Sequence, residues 1–216
     1  MKKNGFTLAE VLITLGVVGV ISAIVMPTFV SRTQTSKIGP KLSKAVAVFE
    51  QAAQAVLNDA GSDSLNSAVV DCGSSNDVVT SSHDCFFLNM GHHLKGNQQS
   101  AHAFTTNDGV SYTLEGSFSG VTGLYPHQVR ILGASPSNSF LEIDINGSTN
   151  APNTPAKDKF YFSIMDDGTL RPFGSSADGG DTVWTAKCPV NSAPTGNDAF
   201  YCAAHVLENN LKVEYR

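Results

Sequence analysis

Residues 5–30 read GFTLAEVLITLGVVGVISAIVMPTFV. From Val11 to Ser31 there is no charged side chain. At 1.5 Å per helical residue such a run is long enough to cross about 30 Å of hydrocarbon. A secretory signal would show a shorter apolar core followed by a small-residue cleavage site, whereas here the apolar run continues into a longer helical pattern. Glu10 stands one turn inside this segment, where an unpaired ionised carboxylate costs several kcal/mol, so the sequence demands a partner for it. Ahead of the segment lies only Met1-Lys2-Lys3-Asn4-Gly5, short and basic.

The run Gly5-Phe6-Thr7-Leu8-Ala9-Glu10-Val11-Leu12-Ile13 closely resembles the cleavage and methylation signature of type IV prepilins and of the pseudopilins of type II secretion. The resemblance covers about residues 2–30. It implies a membrane peptidase that cuts between Gly5 and Phe6 and methylates the new amine of Phe6. Residues 1–5 are then a leader, 6–30 a spanning and filament-core helix, 31–60 its amphipathic continuation, and 61–216 a β-rich head. The implied fold class is α+β and pilin-like, a long N-terminal helix packed on a small antiparallel sheet. The implied function is that of a structural filament subunit rather than an enzyme. Its partners would be copies of itself, other pilins, the prepilin peptidase, an inner-membrane assembly platform and, before assembly, the membrane. The precursor would be a single-pass inner-membrane protein with its head outside the cytoplasm, destined for a periplasmic or extracellular filament. The same N-terminus also suits a minor tip pilin whose head acts as an adhesin or binding module.

Removal of the leader takes away Lys2 and Lys3, so the net charge of −5 becomes −5 − 2 = −7 before the new amine is counted. That amine supplies the partner Glu10 needs: the amino group of Phe6 on a neighbouring subunit lies at the same depth, and the pairing would set axial register. Gly16, Gly19, Ser22 and Ala23 recur at spacings of three and four, which permits close helix approach.

Pro27 and Gly39-Pro40 each interrupt the helical pattern, so two kinks or locally melted turns are expected. Beyond Pro40, Leu42, Ala45, Val46, Phe49, Ala52, Ala53, Val56 and Leu57 form an apolar stripe that a sheet should cover. Gly61 suits the C-terminal cap. From Phe6 to Asn58 such a helix measures roughly 80 Å, far more than a small head needs. One feature disagrees with the implied topology. Lys2 and Lys3 precede the span but Arg32, Lys37, Lys41 and Lys44 follow it, and the charge-bias rule alone would put the N-terminus outside.

After residue 61 the chain becomes rich in Gly, Ser, Asn and Asp with short β-prone runs. Strands are expected at 110–115, 140–145, 159–165, 169–172, 199–206 and 211–215, with turns at Asp167-Gly168 and Asn209-Asn210. Residues 61–100 read as a variable connection. Cys202–Val213 resembles the closing hairpin of pilin-like heads.

The four cysteines allow three pairings. The near-neighbour set, Cys72–Cys85 and Cys188–Cys202, closes loops of 14 and 15 residues, each worth about 3 kcal/mol in the chain-entropy model. Paired cysteines would place the head in an oxidising compartment.

Asp144, Asn146 and Ser148 offer oxygen atoms at every second position, with Asp158 following, a donor set that calcium prefers. An Asx-rich turn that caps its own backbone explains the same residues. His83, Cys85, His92, His93 and His102 fit no zinc template. No G-x-S-x-G elbow, P-loop or dinucleotide fingerprint occurs, and no catalytic set emerges. Charged residues are only 15 % of the chain and acids exceed bases, which excludes phosphate-backbone binding as the main activity; no nucleic acid partner is expected.

Overall fold

A computed structural model describes residues 7–68, 87, 89–100, 103–115, 140–173, 175, 188, 194 and 196–213. The chain forms two compact units, Met1–Lys37 and Ile38–Arg216. Helix α1 spans Leu8–Ala60. After a short helix α2 (Leu65–Ala68), six strands follow: β1 (Gly96–Ser100), β2 (Ala103–Thr106), β3 (Ser111–Glu115), β4 (Phe140–Asp144), β5 (Lys159–Ile164) and β6 (Leu170–Pro172). A 3-10 turn at Gly196–Tyr201 leads into helix α3 (Cys202–Glu208). The strands form one antiparallel sheet in sequence order. A long N-terminal helix and a six-stranded antiparallel sheet make an α+β chain that fits a pilin-like fold.

The period of the strands sorts their side chains between two cores. On β4, Leu141 and Ile143 turn to one face and join Leu42, Ala45, Phe49, Ala52, Ala53 and Val56 of α1. From β5, Phe160, Phe162 and Ile164 enter the same core. Phe49 is fully buried, its ring 5.7 Å from that of Tyr112, whose hydroxyl donates to the Ala45 carbonyl at 3.0 Å. Burial pushes the Tyr112 phenol well above its ordinary range. On the opposite face Phe140, Tyr161 and Phe173 pack with Phe200 and Tyr201, with edge-to-face contacts at 4.5 Å for Phe140–Phe173 and Tyr161–Phe200.

The β5–β6 hairpin turns at Asp167-Gly168, as its sequence suggests. Gly168 adopts φ +83°, and a Cβ there would approach Ala53 at 3.1 Å, so the turn sits directly on α1. The helix answers with its own side chains. Glu50 Oε1 accepts the Leu170 N–H at 2.9 Å, and Gln54 Nε2 donates to the Asp167 carbonyl at 2.6 Å.

Several expectations are corrected. Helix α1 runs without a break through Pro27 and Pro40, so of the expected kinks or melted turns the melted turns do not occur. At Gly39 the reason for the unusual dipeptide is packing: a Cβ would run into the Leu211 carbonyl, which lies just past α3. Residues 199–206 are helical rather than a strand, because Ala199, Cys202, Ala203 and Val206 repeat at three and four and are all buried. The Asn209-Asn210 turn therefore ends a helix and not a hairpin, with positive φ at Asn210 and Leu211 and the Lys212 N–H donating to the Asn209 carbonyl at 3.0 Å. Residues 211–213 are not a strand. Conversely, β1 and β2 arise within or just after the stretch read as an irregular connection; β1 is Gly-Asn-Gln-Gln-Ser, without an apolar residue to mark it.

Helix propensity alone says that Gly39→Ala should stabilise the chain by about 1 kcal/mol. The contact with Leu211 reverses the sign. Thermal unfolding of the detergent-solubilised full chain is expected to show a lowered midpoint for Gly39→Ala, and a raised midpoint would contradict the close approach.

Candidate functional site

The front of α1 is built by a Thr-Leu-Ala-Glu turn. Thr7 is the residue before the helix, and its Oγ1 accepts the Glu10 N–H at 3.3 Å. In return the Glu10 carboxylate accepts the Thr7 N–H and the Thr7 hydroxyl, both at 2.8 Å through Oε2. This reciprocal arrangement is a capping box, which satisfies donors that a helix start leaves open. Thr7 is thus a nearer partner for Glu10 than the neighbouring subunit's amine that the sequence suggests, and the T-x-x-E spacing carries it. Gly5 and Phe6 lie outside the described residues.

Leu8–Met26 is predominantly apolar, with Glu10 its one charged residue and a mean hydropathy of 2.4 over 19 residues. Leu8 is 81 % exposed and Ile24 69 %, and among the described residues twelve large apolar side chains of this stretch are exposed. A Cβ added at Gly16 or Gly19 would meet nothing within 4 Å among the described residues.

The second candidate is the loop joining β4 and β5. Asp144 Oδ1 accepts the Asn146 and Gly147 N–H groups at 3.1 and 3.0 Å, an Asx turn of the kind the sequence suggests. Asp158 closes the far side, where Oδ2 accepts the Asn153 N–H at 2.7 Å and Oδ1 the Thr154 N–H at 2.6 Å. Asn146 Nδ2 donates to the Ala151 carbonyl and Asn150 Nδ2 to the Asn146 carbonyl. Ser148 is exposed, and its N–H donates to Ser111 Oγ at 3.3 Å.

Two acceptors in this loop have no hydrogen-bond partner among the described residues: the buried atoms Asp144 Oδ2 and Asn146 Oδ1. Charge is unbalanced there as well. Glu142, Asp144 and Asp158 are 6, 1 and 3 % exposed. The ammonium close to them belongs to Lys159, which sits 2.7 Å from Glu142 Oε1, while the Tyr161 hydroxyl donates to Oε2 at 2.8 Å. The Asp144 carboxyl is accordingly pushed up, first by burial and further by its acidic neighbours Asp158 and Glu142, against the lowering hydrogen bond from Asn146 and the charge of Lys159. Unpaired buried acceptors and excess negative charge suit a cation. Among the described residues no three His, Cys, Asp or Glu side chains gather into a metal group, so a cation here depends on the Asn146 amide oxygen beside the carboxyls.

Cys188 and Cys202 form a disulfide, Cα to Cα 5.3 Å, at the start of α3. Cys72, Cys85 and Trp184 lie outside the described residues, as do His83 and His102. His93 Nε2 lies 3.1 Å from Asp59 Oδ2, which ties the chain before β1 to the end of α1.

Residues 1–26 match a known family described as the prokaryotic N-terminal methylation motif, the type IV prepilin-like signal. This match and the apolar helix mark the chain as a pilin- or pseudopilin-like, membrane-anchored precursor, and point to a structural subunit. No curated protein and no solved structure matches the chain.

Replacing Asp158 by Ala strips two backbone N–H groups of a charged acceptor. The expected loss is roughly 3–5 kcal/mol, read as a lower denaturant midpoint of the full chain. An unchanged midpoint would show that the loop does not depend on this carboxylate.

Proposed function

We propose that this chain is the precursor of a filament subunit, cut between Gly5 and Phe6 and N-methylated at Phe6. The inner membrane holds it by Leu8–Met26 until that helix exchanges lipid for copies of itself. The observation that carries the reading is an exposed apolar stretch of α1, Leu8–Met26, lying within the residues that match a methylation motif. The leader is residues 1–5, the membrane and filament-core helix 6–30, its amphipathic continuation 31–60, and the head 61–216. The prepilin peptidase and the assembly platform are the partners this requires, with other pilins beside the homopolymer.

Glu10 has two successive partners in this reading. In lipid its carboxylate is satisfied within its own first turn by Thr7. During assembly it turns to the methylated amine of Phe6 on the neighbour, so pairing exchanges one set of hydrogen bonds for a charged one and fixes register more than it adds stability.

We propose further that the β4–β5 loop holds a calcium ion through Asp144 Oδ2 and Asn146 Oδ1, with Asp158 and Ser148 completing the oxygen set. The two partnerless oxygens and the excess of buried acid support it. Bound there, calcium would neutralise the buried negative charge and tie the loop to β4.

Mass spectrometry of the protein from its native membrane is expected to find methyl-Phe6 as the first residue; Met1, or a cut near Ala23, would reject the processing. Glu10→Ala is expected to leave a folded, membrane-held chain that incorporates poorly into sheared fibres, and normal fibre yield would contradict the register role. Calcium is expected to raise the unfolding midpoint of the wild-type chain in proportion to the logarithm of its concentration, and not that of Asp144→Asn, which keeps a side-chain oxygen for the Asx turn. Equal shifts in both would remove the ion from this loop.

A further inference from the structure

Gly39-Pro40 is a weak point of α1. Glycine and proline are the two poorest helix formers, and Pro40 has no N–H to give to the carbonyl four residues back. The helix nonetheless passes through both. Further along, the sheet side holds it: Lys44 reaches Asp108 Oδ2 at 2.6 Å, the Ala45 carbonyl accepts from the Tyr112 hydroxyl, and Glu50 and Gln54 bind the β5–β6 hairpin. At Gly39 the contact comes from the other end of the chain. Gly39 is buried, and the Leu211 carbonyl lies so close that a Cβ on residue 39 has no room.

The turn that presents Leu211 is itself held against its preference. Asn210 and Leu211 have φ of 50° and 61°, a left-handed backbone that L side chains resist and that persists where the surroundings impose it. The turn hangs from α3: the Asn209 N–H donates to the His205 carbonyl and the Lys212 N–H to the Asn209 carbonyl, both at 3.0 Å. Helix α3 has only seven residues, far below the length at which a helix stands alone in water. Its Cys202, Ala203 and Val206 are buried in the main core. Cys202, its first residue, is bonded to Cys188, and both are fully buried. The bridge fixes one end of α3, and the contact at Gly39 fixes the turn beyond the other.

We propose that the Cys188–Cys202 disulfide is a redox switch for α1 at Gly39-Pro40, transmitted through α3 and the turn at 209–212. With the bridge closed, α3 is anchored, the strained turn stays seated on Gly39, and α1 remains helical across its weakest dipeptide. With the bridge open, α3 loses its anchor and the turn gains by relaxing its left-handed residues, so it leaves Gly39 and the α1 segment at 38–44 opens locally. Closing the bridge joins the two Sγ atoms and passes two electrons and two protons to a partner disulfide, which departs as a dithiol; an added dithiol reverses the exchange. The inference stands apart from the filament reading, because it uses no part of the exposed apolar stretch.

Hydrogen exchange read by peptide mass spectrometry on the detergent-solubilised full chain tests it. Three samples are compared: oxidised wild type, wild type reduced with dithiothreitol, and Cys188→Ala/Cys202→Ala, which removes this bridge and leaves the other two cysteines in place. Peptides covering 38–44 and 204–213 are expected to exchange at least tenfold faster in the reduced chain and in the variant than in the oxidised chain. A peptide covering 48–58, tied to the hairpin by Glu50 and Gln54, is expected to keep its rate in all three. Reoxidation is expected to restore protection at 38–44 in the wild type and not in the variant. Unchanged exchange at 38–44 in Cys188→Ala/Cys202→Ala would overturn the coupling, whatever reduction does to the wild type. Equal loss of protection at 38–44 and 48–58 would overturn it as well, making the bridge a general staple of the fold with no particular hold on Gly39-Pro40.

Discussion

Among the described residues, twelve large apolar side chains between Leu8 and Met26 are exposed, from 44 % at Val11 to 81 % at Leu8. At about 1.5–3 kcal/mol for each such side chain removed from water, leaving them wet costs on the order of 20 kcal/mol, more than a typical domain's whole stability. This helix needs a cover, and the proposed function supplies two in turn, lipid and then other helices. The capping box at Thr7 and Glu10 acquires meaning from that requirement, and so does the proposed leader.

The same helix serves the rest of the fold differently past Ile38. There its apolar residues recur on one stripe and are covered by Leu141, Ile143, Phe160, Phe162 and Ile164 of the sheet. Glu50 and Gln54 bind the β5–β6 hairpin, and Gly39 admits the backbone after α3 to direct contact. One continuous element is thus a solvent-incompatible surface over its first half and a core-former over its second. Polar satisfaction follows a similar division. At the N-terminus Thr7 and Glu10 satisfy each other, while in the β4–β5 loop Asp144 and Asp158 hold backbone N–H groups and two buried oxygens still lack a partner.

Much of this was legible in the residues. The span, the amphipathic stripe, the Asp167-Gly168 turn and β3 to β6 follow from apolar periodicity and turn chemistry, which are local. The Cys188–Cys202 bridge accords with near-neighbour spacing. Illegible were features decided by distant contacts. Strand β1 has no apolar residue and owes its state to pairing with β2. Gly39 read as a helix breaker because its contact, Leu211, lies 172 positions away in sequence. Residues 199–206 contain apolar residues compatible with a strand, but their spacing of three and four was outweighed by analogy with a closing hairpin. At the candidate site the Asp144 and Asp158 oxygens were identified as a set, yet only the fold reveals that backbone N–H groups occupy three of those four oxygens, leaving Asp144 Oδ2 and the Asn146 amide oxygen.

The central claim is that one helix surface meets lipid in the precursor and protein in the assembled state. A photoreactive probe carried in the acyl chains, activated on native membranes and followed by peptide mapping, reads that surface directly. The account predicts strong labelling of 8–26 in the membrane fraction, and protection of the same peptide in lipid-free sheared fibres, where helix-to-helix cross-links replace it. Absence of labelling in the membrane, or a peptide labelled only ever by lipid with no protein-covered form, would contradict it.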